Sequence, residues 1–320
     1  WLEELLSVRV NPGGLLKTSD ILGRDEEIAR YWQILERQSL ILSAERRIGK
    51  THITYKMRDE PPPHFCVFYQ DLEGVHGVLE LIRATYRTVS PKLHLGQKLK
   101  GKAASVWSSL SPKKLGEAEL PSAKDNWQLL LAMCLNDLTA NIPANERVVL
   151  VWDEFPLMLH NIAISESDAI AVRLLDQLRQ IRQTNAKLRF LFTGSIGLHL
   201  VVDSLRRAGN ANDPLNDTHT VTVPPLSERF TVELSEKLLA HIQVPPADRP
   251  AIAAEIARSV EGFPYYVHHV VDQMSQLPRP LGPEHVEAAV AQLLGFPSDP
   301  ANCDYNAKRI RTYYGDKQPL

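Results

Sequence analysis

The residues with the clearest chemical meaning run from Ser43 to Thr51, in the order Ser-Ala-Glu-Arg-Arg-Ile-Gly-Lys-Thr. The apolar run Ser39-Leu40-Ile41-Leu42-Ser43 leads into them, and Gly49-Lys50-Thr51 opens a helical pattern. A loop between a strand and a helix N-terminus presents successive backbone N–H groups, and the helix dipole adds positive potential, so together they cradle a phosphate. In such a loop Lys50 reaches the β- and γ-phosphates and the Thr51 hydroxyl ligates Mg2+. Glu45, Arg46, Arg47, Ile48, Gly49 and His52 complete the expected nucleotide-binding set, with Arg46 and Arg47 divided between phosphate contact and structural pairing. Ala44 departs from the glycine that usually opens such a loop. A bare Gly-Lys triplet ending in Ser or Thr arises by chance in about one chain in six of this length, so its strand-to-helix setting carries the weight.

Two further groups could complete the chemistry. Val148-Val149-Leu150-Val151-Trp152 is an apolar strand that ends in Asp153-Glu154. Buried beside the strand that feeds the loop, it would bring Asp153 to the metal, held through water, and Glu154 to the attacking water as its polarising base. Phe190-Leu191-Phe192 ends in Thr193-Gly194-Ser195, whose hydroxyls at 193 and 195 are candidates for touching the γ-phosphate or that water. Ser195 reads equally well as a helix N-cap.

The elements that must position these residues alternate. Strands are expected at 39–43, 66–69, 147–152, 188–192 and 219–223, with helices from about 24 to 36, from 49 to the Pro61-Pro62-Pro63 stop, and at 75–89, 125–140, 166–184 and 197–207. That alternation predicts an α/β core, a five-stranded parallel sheet sandwiched by helices. After Pro224-Pro225 only helical patterns remain, broken by Pro245-Pro246, Gly262-Phe263-Pro264 and Leu281-Gly282-Pro283. The expected organisation is a leader at 1–20, a nucleotide-binding core at 21–225, a small all-helical lid at 226–297 and a polar tail at 298–320.

Composition narrows the function classes. With 36 basic and 38 acidic side chains the net charge is −2, which excludes a globally basic nucleic-acid coat. Cys66, Cys134 and Cys303 are odd in number and far apart, as in proteins of a reducing cytoplasm. No apolar run is long enough to span a bilayer, so no membrane partner is expected. The chain begins with Trp1 rather than Met, which reads as a segment of a longer polypeptide.

Leu42 to Thr51 resembles the APRRxGKT phosphate loop of bacterial and archaeal ATPases in the STAND branch of the AAA+ class, P-loop NTPases in which the first glycine is often replaced. Ile21-Leu22-Gly23-Arg24 with Glu27 is similar to the family's box before the first strand, which packs near adenine. Asp153-Glu154-Phe155-Pro156, Thr193-Gly194-Ser195 and Gly262-Phe263-Pro264 resemble its acidic strand end, its post-strand segment and the nucleotide-contacting motif of its lid. Arg309-Ile310 with Tyr313-Tyr314-Gly315 resembles the segment that precedes a winged helix in bacterial members. The resemblance implies an ASCE-type sheet, ATP and Mg2+ as cofactors, nucleotide contacts at Gly23, Arg24 and Pro264, and slow hydrolysis that switches a signalling or antiviral defence protein. It implies self-association or a protein effector as partner. Arg206 and Arg207 fall where an arginine finger would lie, although a helix C-terminus favours arginine in any case.

Two other features were weighed. Arg83 to Lys114 carries eight basic side chains and no acid, with Trp107 among them, and is the candidate nucleic-acid contact of a rival reading: an AAA+ ATPase that regulates a DNA transaction. A second rival is a nucleotide-stabilised scaffold with little turnover. His268-His269 lacks a third ligand at metal spacing, and neighbours in a helix point to different faces.

Overall fold

The computed structural model describes residues 8–92, 126–140, 142–195, 197–207 and 213–314. By their internal contacts they fall into two units. One takes residues up to Ala29, Ala44–Lys56 and the chain from Thr222 onward; the other takes Arg30–Ser43 and Met57–Val221.

The second unit holds the sheet. Its strands are β1 (Ser39–Ser43), β2 (Phe65–Asp71), β3 (Arg147–Asp153), β4 (Leu188–Thr193) and β5 (Thr218–Thr222), in the order β2-β3-β4-β1-β5. The sheet is parallel, as the alternation of elements predicts. The expected adjacency of the acidic strand and the loop-feeding strand is corrected: β4 lies between β3 and β1. The reason is burial. Leu188–Thr193 is buried along its whole length, which requires neighbours on both edges and cover on both faces. The register pairs Leu42 with Thr193, Trp152 with Phe192 and Asp71 with Asp153. The C-terminal ends of β1, β3 and β4 therefore share one edge of the sheet.

The helices that cover the sheet follow from apolar spacing. Helices α1 (Asp25–Leu35) and α2 (Lys50–Asp59) each have residues in both units, while those in the sheet unit include α3 (Val78–Val89), α4 (Trp127–Ala140), α5 (Phe155–Ser165), α6 (Asp168–Thr184) and α7 (Leu198–Arg207). In α6, Ala171, Leu174, Leu175, Leu178 and Ile181 form a buried stripe at three- and four-residue spacing. Ser167 caps it, accepting a hydrogen bond from the Ile170 N–H at 3.3 Å. Helix α5 has no counterpart in the sequence reading. It is apolar on most sides, and Pro156 sits in its first turn, where a missing N–H costs nothing. Trp152, Phe155, Phe190 and Phe192 stack beneath the sheet edge, with Phe155 and Phe192 centroids 4.2 Å apart.

The first unit is helical: α8 (Glu228–His241), α9 (Arg249–Val260), α10 (Pro264–Ser275), α11 (Glu284–Gly295) and α12 (Cys303–Tyr314). Its core gathers Leu238, Leu239, Ile252, Ile256, Val271 and Met274, and Val8 from the leader is buried among them. Helix α12 lies in the tail, where the sequence gives no element. The Asp299 carboxylate starts it by accepting from the N–H groups of Cys303 and Tyr305 at 2.6 and 3.1 Å. Most of the basic 83–114 segment lies outside the described residues, as do the side chains of Arg206, Arg207, Arg309, Ile310, Tyr313 and Tyr314. No described helix is long and apolar enough to cross a membrane.

Candidate functional site

The residues singled out by sequence fall into two groups, one in each unit. In the sheet unit, Asp153 ends β3, Glu154 follows it, Thr193 ends β4 and Ser195 stands two residues on. The structure brings these four together. Asp153 is buried, and three donors converge on its carboxylate: the Tyr69 hydroxyl at 3.0 Å, the Glu154 N–H at 3.1 Å and the Thr193 hydroxyl. Neutral donors stabilise an ionised carboxylate without cancelling its charge, so a hard cation or its water can still be drawn to it. Glu154 adopts a left-handed backbone (φ 55°, ψ 30°) at the point where β3 turns into α5. Its carboxylate accepts from both the Ser195 N–H (3.1 Å) and the Ser195 hydroxyl (2.9 Å). Ser195 is thus tied to Glu154.

In the helical unit, the loop from Ala44 bends back on itself. Arg47 and Gly49 both have positive φ, 71° and 95°, and a Cβ at Gly49 would meet no atom within 4 Å. Lys50 is buried, and its Nζ donates to the carbonyls of Ala44 (2.7 Å) and Glu45 (2.8 Å). The ammonium therefore sits inside the bend. Thr51 and His52 stand in the first turn of α2, where backbone N–H groups have no intrahelical acceptor. Arg46 and Arg47 lie over tyrosine rings, Tyr305 at 5.3 Å and Tyr265 at 4.1 Å, cation–π contacts worth about 0.5–2 kcal/mol each.

Gly23 and Arg24 serve the loop from outside. Gly23 has φ 66°, and a Cβ there would fall 2.4 Å from the Phe230 ring, so no other residue fits without displacement. The buried Arg24 guanidinium donates to Glu27 (3.2 and 3.3 Å), to the Pro224 carbonyl (2.9 Å) and to the Ile48 carbonyl within the loop (3.1 Å). Pro264 opens α10 and lines a pocket together with Arg24, Ile48, Gly49 and His52.

Sequence reasoning missed three participants. Tyr69 reaches Asp153 from β2, and Tyr265 and Tyr305 cover the loop arginines. Only Tyr69 left a signal, a polar-tipped aromatic near the C-terminal end of a buried strand. Just before β5, Asp217 receives a two-pronged contact from Arg182 of α6, at 2.7 and 2.9 Å. Among the described residues no group of three or more His, Cys, Asp or Glu side chains could hold a metal alone.

No protein-family model matches this chain, and no curated protein matches it. Among solved structures it is similar to the Walker-type ATPase PABY2304 of Pyrococcus abyssi, with 17% identity and a TM-score of 0.61 over 92% of this chain and 77% of that one. It is also similar to the Aeropyrum pernix ORC2 protein in ADPNP-ADP complexes, at 13% identity and a TM-score of 0.55, covering 88% and 71% of the two chains. The ADP form of that protein matches with a TM-score of 0.52. At such identities the likeness is one of fold: a five-stranded parallel sheet flanked by helices, with a helical region after it in the chain.

Proposed function

We propose that the chain is an ATP-binding, Mg2+-dependent ATPase whose nucleotide state switches its conformation. One observation carries this reading: the Lys50 ammonium lies inside the 44–50 bend, donating to the backbone carbonyls of Ala44 and Glu45 at 2.7 and 2.8 Å, where a phosphate would be met by the same ammonium. Lys50 takes the β- and γ-phosphates, and the Thr51 hydroxyl and the Asp153 carboxylate are each hard oxygen donors of the kind Mg2+ prefers. When bound, the ion neutralises charge on the phosphate oxygens. Glu154 takes the proton of the attacking water, its carboxylate aimed by Ser195, while Thr193 fixes Asp153. Gly23 and Arg24 shape the base side, and Pro264 of α10 closes it.

Binding that favours one arrangement over another makes ATP a switch. The family resemblance supports a slow switch in signalling or antiviral defence, acting by self-association or on a protein effector, in the reducing cytoplasm that the scattered cysteines fit. The acid-free basic run from Arg83 to Lys114 supports the rival, an ATPase that regulates a DNA transaction.

Calorimetric titration with ATP and Mg2+ tests the core reading. Lys50→Ala is expected to weaken binding by about 10- to 100-fold or more, the worth of charged hydrogen bonds in a closed loop. Unchanged affinity overturns the loop assignment. Glu154→Gln is expected to bind ATP yet release no phosphate. Binding without turnover in the unmodified protein points to the scaffold reading, and hydrolysis stimulated by duplex DNA with steep salt dependence points to the rival.

A further inference from the structure

The pocket beside the loop has aliphatic walls formed by Ile21, Leu22, Ile48, Leu226, Leu234 and Pro264. Flat apolar walls suit the faces of an aromatic ring, and the few polar groups among them decide which ring. Most of those groups are already engaged. Arg24 is spent on Glu27, Pro224 and Ile48. His52 Nε2 lies 3.3 Å from the Gly14 carbonyl, which can only accept, so that nitrogen carries the proton. Asp20 accepts from Ser19 at 3.1 Å.

His268 differs. The backbone N–H of Asn11 donates to its Nδ1 at 3.2 Å. A backbone N–H can only donate, so Nδ1 is the bare nitrogen and Nε2 holds the hydrogen. Residue 268 is 3% exposed, lines the pocket, and its Nε2 has no hydrogen-bond partner among the described residues. A buried donor left unpaired is costly, and a ligand acceptor removes that cost.

We propose that His268 reads the base of the bound nucleotide, its Nε2–H donating to a ring nitrogen of the purine seated between these aliphatic walls. The inference rests on the ATP reading above and adds to it a specificity-determining residue outside the phosphate loop. Burial holds the imidazole neutral, its pKa lowered to about 4, with the His52 and His269 rings acting in the same direction. It is therefore a fixed donor at neutral pH, not one that alternates between tautomers. The leader takes part in recognition through Asn11, which sets the tautomer by its backbone alone.

The test is calorimetric titration of the protein with ATP and with 1-deaza-, 3-deaza- and 7-deaza-ATP, each lacking one ring acceptor. One of the three is expected to bind about 5- to 100-fold more weakly than ATP, the range for a desolvated donor left without its partner. His268→Phe is expected to weaken ATP by a similar factor and to bind all four nucleotides alike. Equal binding of the four by the unmodified protein overturns the proposal, as does a His268→Phe protein that still discriminates. Inorganic tripolyphosphate checks the loop in the variant. If the variant loses tripolyphosphate binding as well, the unmodified protein's series alone decides. Absence of any ATP binding overturns the ATP reading and this inference together, whereas ATP binding with indifference to every deaza analogue overturns this inference alone.

Discussion

Arg24 is where the structure makes its most quantitative demand. Replacing it with methionine keeps much of the length and removes every donor. Glu27 then loses its partner, but its side chain is 27% exposed and regains water, so that share is under about 1 kcal/mol. The carbonyls of Pro224 and Ile48 are different, because the arginine that bonds them is 2% exposed and leaves no channel for water. Each dry carbonyl costs about 1–3 kcal/mol, and the apolar burial of the new side chain returns about 1 kcal/mol. The net expectation is a loss of about 1–6 kcal/mol. Urea unfolding followed by far-ultraviolet circular dichroism measures it, with Glu27→Gln as the control expected to cost less than about 1 kcal/mol. Arg24→Lys is expected to recover only part, since an ammonium cannot span three partners as a planar fork does. Because Ile48 lies in the proposed phosphate loop, ATP affinity is expected to fall along with stability. An Arg24→Met protein that loses under about 1 kcal/mol, or a Glu27→Gln protein equally damaged, refutes the account of Arg24 as a clasp on two buried carbonyls.

Other consequences are simpler to measure. Ser195→Ala removes the hydroxyl that donates to Glu154 and is expected to lower kcat by roughly tenfold while ATP affinity holds, which steady-state kinetics and calorimetry separate. Acid should destabilise the fold. His268 is neutral in both states at high pH, the unfolded chain begins to take up a proton near 6.5, and the folded one resists until about 4, so stability falls across that window by about 3 kcal/mol in all. His269 is lowered by burial as well and adds to the same slope, so chemical denaturation at pH 7.5, 6 and 5 that gives a flat profile contradicts it. Burial pushes the Cys134 thiol up to about 12, so it should resist alkylation in the folded protein, while the partly exposed Cys66 and Cys303 react first by mass spectrometry.

Much of this architecture was legible in the residues, and the gaps have physical causes. Strands such as Val148–Trp152 and Leu188–Phe192 announce themselves because a buried parallel strand must be apolar on both faces. Strand order is not written in chain order. Only the complete burial of β4 reveals that it separates β3 from β1. Helix α5 was hidden because a helix apolar on most sides has little periodicity to read. For the site, the loop and the acidic strand end were visible because both are contiguous in sequence. The contacts of Arg47 with Tyr265, Arg24 with Pro224 and Asn11 with His268 join residues distant in the chain, where no spacing rule applies.

The left-handed backbone at Glu154 carries a cost of its own. A glutamate at φ 55° gives up about 1 kcal/mol that glycine would keep and asparagine would partly recover. A library at this position screened for heat resistance alone would accordingly drift toward those two residues, and a screen for turnover would pull it back. Where the two screens disagree, the chain has set a local strain against a carboxylate it retains for another purpose.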